Sequence, residues 1–583
     1  MQASVEANVS ETQEQQTMSS NDVDKLMDEE TGQTITRDMS SPRGRLPSES
    51  YSVAGEPEEL ETNRQRFRRY FSIAIVIFSM LVSSIGYSII FGSIWPYFEK
   101  IDGSATESFL GLIIASFSLG QLIFSPLFGI WSNYRPISEP WLFCLTLFIG
   151  GNILYVYAEA FDDSEKWILL VSRFIVGSGA ANNAIMRAYC SSASREDERN
   201  TVMTFLSAMR GLGFILGPCL GLLFQPLGED GLEWDAIQLY FNLYTGPAYL
   251  AILLSIINIA LILFFFKESD VHHTKAVVPL SRLFLCCVHR PDKEYNQILE
   301  EKRMAASDGQ YDCIAAWVAI FIYFIIVGVF ASGETIISPY GQDQYAWSNS
   351  DASLYVNIIF GVNAVIGVGV FIGTNFIVKW WVPERVMFIG TLFTMALGLI
   401  VWIPYGPGHP DVQIVVLKNT TGHRLRPHDS DRGCDFLDQS WCLDIPKINL
   451  PQFLLGPTFV IASFCASSLL CQTMFSKVLG PWPQGMMMGF LSGAGSLGSI
   501  LGPLLLTSVY HEEGPTIGYL VLLGVLLIAV LTSMAFYQRL IPYSLYKQKM
   551  KDTGYLPIGT EDSSNYGSIN TSVGVSDKSH DAK

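Results

Sequence analysis

A chain of 583 residues that is 49% hydrophobic and 16% charged, with a mean hydropathy of +0.30, is too long and too apolar to be one soluble domain. Its formal charge of -17 is uneven: residues 1–63 hold 14 Asp and Glu against 4 Lys and Arg, so the acidity describes a tail and gives no surface for nucleic acid. Ten cysteines fall mainly in apolar stretches without CxxC spacing, and neither a phosphate-cradling Gly-rich loop with Lys nor a nucleophile motif is present, so the sequence predicts no enzyme, metal centre or cofactor.

In chain order, residues 1–63 are rich in Ser, Glu, Asp, Gln and Thr without apolar periodicity, and are expected to be a disordered cytosolic tail. Within it, Asp22-Val-Asp-Lys-Leu26-Met27 fits an acidic di-leucine-type sorting signal with Met in the second apolar place. The basic run Arg64 to Arg69 precedes the first apolar block, which the positive-inside rule keeps in the cytosol. Apolar blocks of about 20 residues then follow, each long enough to cross a bilayer. Six lie near 70–94, 109–131, 141–158, 167–188, 202–224 and 244–266, and six more near 313–338, 353–378, 386–405, 451–474, 484–509 and 516–538. The expected organisation is a six-helix bundle over 64–266, a cytosolic linker over 267–312, and a second bundle over 313–540. A lumenal loop spans 406–449 and a cytosolic tail 541–583. The predicted fold class is therefore an all-α membrane protein of twelve helices in two pseudo-symmetric bundles, both termini cytosolic. The halves echo each other: Gly86-Tyr87-Ser88-Ile89-Ile90 has its counterpart in Gly333-Glu334-Thr335-Ile336-Ile337, and Ile215-Leu216-Gly217-Pro218 in Ile500-Leu501-Gly502-Pro503. Such duplication places a transport site between the halves near the midplane.

Polar groups in the spans are the mechanistic candidates. Arg173 is costly at hydrocarbon depth, and either lines the pathway or serves as a hub for helix backbones. Asn182 and Asn183 offer amide groups, with helix-to-helix glue the simpler reading, and Tyr87 sits in the repeated element. Arg187 and Arg210 are read near cytosolic span ends, where they reach back to lipid phosphates or join the pathway. Glu334 is a lone carboxylate towards the lumenal side, and desolvation disfavours its charged form, which suits a proton- or gating-linked role. Gly177, Gly179, Gly217, Pro218, Gly502 and Pro503 let helices approach or bend. In the lumenal loop, Asn419-Thr-Thr421 is a glycosylation acceptor, and Cys434 and Cys442 are close enough to close a small loop in an oxidising compartment. The last tail carries Tyr555-Leu-Pro-Ile558, a tyrosine-based signal suited to a clathrin adaptor.

Gly129-Ile-Trp-Ser-Asn133-Tyr-Arg135 resembles the cytoplasmic loop signature of the major facilitator superfamily, with Asn133 where that signature has Asp. Arg173-Phe-Ile-Val-Gly177-Ser-Gly179-Ala-Ala is similar to the superfamily's fourth-span arginine motif, and Gly213 to Gly221 to its fifth-span glycine-proline motif. The strings SIWPYFEKID, SFLGLIIASFSLGQ, GIWSNYRP, ETIISP and QSWCL resemble an endolysosomal branch of that superfamily over nearly all of residues 64–545. This resemblance implies a lysosomal and late endosomal membrane location. It also implies chloride conduction or, as the alternative, carriage of small solutes on proton or other ion gradients, with small anions or solutes and membrane lipid as partners. A non-transporting membrane scaffold is the remaining class.

Overall fold

The computed structural model describes residues 62–268 and 311–552, except 91–92, 102–106, 162–163, 196–197, 229–230, 235–238, 348, 406–413, 416–432, 436–438, 444 and 481–483. The first half consists of α1 (Asn63–Ser88), α2 (Ile94–Ile101), α3 (Glu107–Tyr134), α4 (Ser138–Val156), α5 (Glu165–Gly179), α6 (Asn182–Ala193), α7 (Arg199–Gly221) and α8 (Gly246–Phe265). The second half consists of α9 (Cys313–Tyr345), α10 (Asn349–Trp380), α11 (Glu384–Trp402), α12 (Leu450–Leu479) and α13 (Gly485–Ala535), after which comes the short α14 (Tyr543–Asp552). The end of the molecule where α1 begins is called here the near side, and the opposite end the far side.

Eleven helical stretches among the described residues are long and apolar enough to cross a membrane. One of them, α13, has 51 residues and a break at Gly514, whose φ of 84° and ψ of 178° are not helical. At about 1.5 Å per residue it would be some 75 Å long, far beyond a hydrocarbon core of about 30 Å. It is two spans joined by a far-side turn, with Pro515 opening the second, and the total is twelve. The span expected at 167–188 is one crossing made of two helices, α5 and α6, broken at Ala180 and Ala181. The first span lies several residues earlier than expected, because the amphipathic run Ile94–Ile101 forms α2, a helix of its own.

Within the first half α1 packs on α7, and α5 on both α3 and α4; within the second, α9 packs on α13 and α11 on α12. The sequence repeat has a packing meaning. A Cβ on Gly217 would meet Ser88 of α1 at 1.9 Å, and one on Gly502 would meet the Gly328 carbonyl oxygen of α9 at 2.3 Å. The fifth and eleventh spans thus press against the first and seventh at positions where only hydrogen fits. Gly86 in turn faces Phe148 of α4 and Gly333 faces Trp402 of α11. The halves meet along α3 with α13 and along α7 with α10.

Two short ribbons, unforeseen in an all-α reading, lie on the far side: β1 (Leu232–Trp234) antiparallel to β2 (Leu239–Phe241), and β3 (Ile414–Val415) parallel to β4 (Cys434–Asp435). Beside β4, Cys434 and Cys442 form a disulfide with Cα atoms 6.0 Å apart. The segment after it lies over the second half: Ile448 N–H donates to Gln344 Oε1 at 2.9 Å, the Tyr345 hydroxyl donates to the Ile448 carbonyl at 2.8 Å, and the Trp441 ring meets Tyr510 at 5.3 Å.

Candidate transport pathway

A chain of polar side chains fastens α1 to α6 and α8. The Tyr87 hydroxyl donates to Asn182 Oδ1 at 2.6 Å, Asn182 and Asn258 each donate to Ser83 Oγ at 3.4 Å, and Ser79 donates to Asn258 Oδ1 at 2.6 Å. Asn182 and Tyr87 are thereby satisfied inside the first half, whereas the neighbouring Asn183 is buried with its Oδ1 unpartnered. Asn258, Ser79 and Ser83 escaped the sequence reading because Ser and a single Asn are unremarkable in an apolar span until their partners are known.

Arg173 is 2% exposed and is enclosed by the first half, its guanidinium 5.5 Å from the Phe117 ring of α3 and within electrostatic reach of Tyr155 of α4. Its Nε and the Tyr155 hydroxyl both lack hydrogen-bond partners. Gly177 and Gly179 lie a turn or more further along, where Cβ atoms would strike the Phe117 and Cys144 carbonyl oxygens at 2.0 and 2.7 Å, so α5 is tightly held on α3 and α4. Arg187 and Arg210 lie deeper than sequence position suggested. Arg187 is 5% exposed and Arg210 is half-buried. Arg187 is carried by α6 and Arg210 by α7, helices that pack together. Neither arginine makes an ion pair or hydrogen bond with a described residue. The Phe214 ring lies 5.7 Å from the Arg210 guanidinium.

Glu334 lies within the membrane-spanning α9 and its side chain is exposed in the structure. No ion pair is made by it among the described residues. In the second half, Tyr323 of α9 and Gln472 of α12 form a buried polar pair, with Gln472 Nε2 donating to the Tyr323 hydroxyl oxygen at 3.0 Å. Gln472, a polar amide in an otherwise apolar span, is a signal that the sequence itself carries.

On the near side the halves are joined. Asn133 Oδ1 accepts from the Gly485 N–H at 2.8 Å and so caps the first residue of α13, while a Cβ on Gly129 would meet the Gly485 carbonyl oxygen at 2.2 Å. An amide oxygen does here what a carboxylate would do, since a helix N-terminus needs an acceptor. Arg135 instead pairs within its own half, donating to Glu139 through Nε at 2.7 Å and Nη2 at 2.6 Å. Around this point Ser191 of α6 bonds both Ser476 of α12 and Gln484, the latter at 2.7 Å, and Arg199 donates to the Ser476 carbonyl at 3.4 Å. Gln121 and Ser496 join α3 to α13 at 3.0 Å nearer the middle. Leu26, Met27, Asn419, Tyr555 and Ile558 lie outside the described residues.

Two six-span bundles meeting around enclosed charged side chains define a multi-pass membrane transport protein. Residues 76–417 match the model of the Major Facilitator Superfamily. The chain is 34% identical over 508 residues to major facilitator superfamily domain-containing protein 8 of Xenopus laevis, covering 85% of this chain and 96% of that protein. The chain therefore belongs to the major facilitator superfamily, in the family of domain-containing protein 8. Among solved structures it is similar in fold to the human organic anion transporter MFSD10 (TETRAN), with a TM-score of 0.52 and 17% identity over 80% of this chain and 99% of that one. It is likewise similar to the proton:xylose symporter XylE, with a TM-score of 0.55 and 14% identity over 81% and 96% of the two chains.

Proposed function

We propose that this protein passes small anions, chloride among them, across the lysosomal and late endosomal membrane, with the near side cytosolic and the far side lumenal. The observation that carries the reading is the imbalance of enclosed charge. Arg173, Arg187 and Arg210 stand in or against the first half's interior without a carboxylate partner among the described residues. A buried charge left unpaired is costly, and in reduced dielectric its attraction to a counter-ion is several-fold stronger than in water. A mobile anion is the counter-ion that a transport protein supplies. Arg187 and Arg210 are carried by α6 and α7, which pack on the second half's α13 and α10, and Arg173 is buried against α3 and α4. The resemblance of the spans to an endolysosomal branch supports the location, and Leu26-Met27 and Tyr555 to Ile558 are the proposed adaptor signals on tails facing the cytosol. Asn419 is the proposed glycan acceptor.

Glu334 favours a second reading, proton-coupled carriage of a small solute, because an accessible carboxylate within a membrane span is placed to exchange a proton with one side. Recording from enlarged lysosomes decides between these and a scaffold. An anion channel gives a current that reverses at the anion equilibrium potential; a carrier gives saturable, gradient-driven flux; a scaffold gives neither, which would sink the proposal. In the same lysosomes, replacing Tyr555 and Ile558 by Ala is expected to send part of the protein to the plasma membrane.

A further inference from the structure

We infer that a groove on the membrane-facing surface of α4 and α5 binds a sterol, a rigid apolar lipid with a single hydroxyl. Thr146, Gly150, Ile153 and Tyr157 recur at helical spacing along the outward side of the third span, which runs from Ser138 to Ala160, while Cys144, Phe148, Gly151 and Tyr155 are buried on its other side. The outward side of a membrane span is covered by lipid, so a hollow in it is filled by lipid. This hollow has a volume of about 650 Å³, within the range of small-molecule sites, and Leu154, Phe161 and Ile175 of α5 complete its walls. Gly150 opens it: a Cβ there would meet nothing within 4 Å. The adjacent Gly151 does the opposite, since a Cβ on it would meet Val176 at 2.7 Å and the Ser172 carbonyl oxygen at 3.0 Å. With Gly179 held equally close to the Cys144 carbonyl, this crossing fixes α4 against α5 and gives the groove a rigid wall.

The polar groups select the kind of lipid. None of the residues lining the groove carries a charge, so it recognises no ionic headgroup. The Thr146 hydroxyl is spent on the Leu142 carbonyl at 2.9 Å, whereas that of Tyr157 makes no hydrogen bond with a described residue. Tyr157 opens the 3₁₀ turn Tyr157–Ala160 that ends the span, and the exposed Phe161 and Trp167 follow it before and at the start of α5. Aromatic side chains of this kind mark the level of the headgroups. The free hydroxyl therefore stands at the far-side boundary, and the apolar hollow runs inward from it. From Tyr157 to Thr146 is roughly 16 Å along the helix axis, room for fused sterol rings and the start of the tail. An acyl chain in the same place loses the freedom of many rotatable bonds and has nothing to offer the tyrosine. A fused ring system loses little freedom on binding, and its one hydroxyl meets the one that is free in the groove. The site faces lipid and does not depend on what passes between the bundles.

The test uses the full chain in nanodiscs that contain a photoactivatable cholesterol analogue, with the labelled residues located by mass spectrometry. Labelling is expected on α4 and α5 within the groove. Excess cholesterol should remove it, and an equal excess of diacylglycerol, which also has one hydroxyl but flexible chains, should remove little. Gly150→Leu fills the hollow without touching the crossing with α5, so it is expected to elute as the wild type on size-exclusion chromatography and to lose the groove labelling. Should it aggregate, Ile153→Trp, at a position already 43% exposed, fills the same space and carries the same expectation. Tyr157→Phe keeps the ring and removes the hydroxyl, and is expected to weaken sterol binding about three- to tenfold. Groove labelling that survives in the filled variant, or that diacylglycerol competes as well as cholesterol does, overturns the proposal.

Discussion

Gly217 and Gly502 occupy equivalent places in the two halves, and each allows a helix to sit within hydrogen-atom distance of its neighbour. Overpacking a close crossing typically costs about 1–3 kcal/mol, and more when the obstacle is backbone. Gly502→Val, which must displace the Gly328 carbonyl, is therefore expected to reduce monodisperse protein on size-exclusion chromatography severely, and Gly217→Val, against the shorter Ser88 side chain, somewhat less. Gly390→Ala, where a Cβ meets nothing within 4 Å, should elute as the wild type. Two charged residues make separable predictions. Glu334→Gln keeps shape and loses the titration, so flux should persist while its dependence on far-side pH flattens; an unchanged pH profile in isolated lysosomes would refute the proton-linked role. Arg173→Ala removes a guanidinium packed on Phe117 without access to open space, so at least a tenfold fall in total flux, about 1.4 kcal/mol, is expected. Flux per folded molecule tells whether the loss belongs to the pathway or to the packing of α5.

At the level of elements, α1 is anchored on the near side to the turn between α6 and α7. Arg69 Nη1 donates to Glu198 Oε2 at 2.9 Å and to the Ala193 carbonyl at 3.2 Å, and the Tyr70 hydroxyl bonds the other carboxylate oxygen. Burial pushes the Glu198 carboxyl up, but its bonds to Tyr70 and Arg69 outweigh that, and the group sits below its ordinary value. A depressed carboxyl contributes stability that is fully present above its unfolded-state pKa and disappears as pH falls through the folded one. Glu198→Gln should therefore lower the unfolding temperature at pH 7 and show a smaller further decline than wild type when the purified protein is taken below about pH 4.5. The turn inside α13 makes another element-scale case. Gly514 has φ of 84°, and a Cβ there would meet Ile445 at 2.8 Å and Trp441 at 2.9 Å. Gly514→Ala is expected to cost about 1–3 kcal/mol and to make the disulfide-bearing segment more accessible to a protease added on the far side.

For the molecule as a whole, the near-side closure is the part that a moving transporter must open. Ser191 and Ser476 face each other across the halves. A Ser191→Cys, Ser476→Cys pair, oxidised to a disulfide, should stop flux in proteoliposomes and release it on reduction if the bundles part during transport. Undiminished conduction through the oxidised protein would mean that ions pass without separation of the near-side ends, as in a channel with a fixed frame.

The number of spans, the duplication and the family motifs were legible in the sequence because each is a local property: block length, apolar content, and glycine at fixed spacing. Even the merged 51-residue helix divides where the sequence broke it, between apolar runs at a Gly-Pro pair. The roles of cations were not legible. Arg173, Arg187 and Arg210 look alike along the chain, and only packing shows that Arg173 is sealed against α3 and α4, whereas Arg187 and Arg210 lie on helices that pack against the second half. Asn133 stood out as a departure from a motif, but its partner, the N–H of Gly485, is 352 residues away. Periodicity and hydropathy report which side chains leave water and cannot report which ones meet. Burial, charge pairing and hydrogen bonding depend on neighbours from distant parts of the chain, and those neighbours exist only once the two bundles have folded and closed on each other.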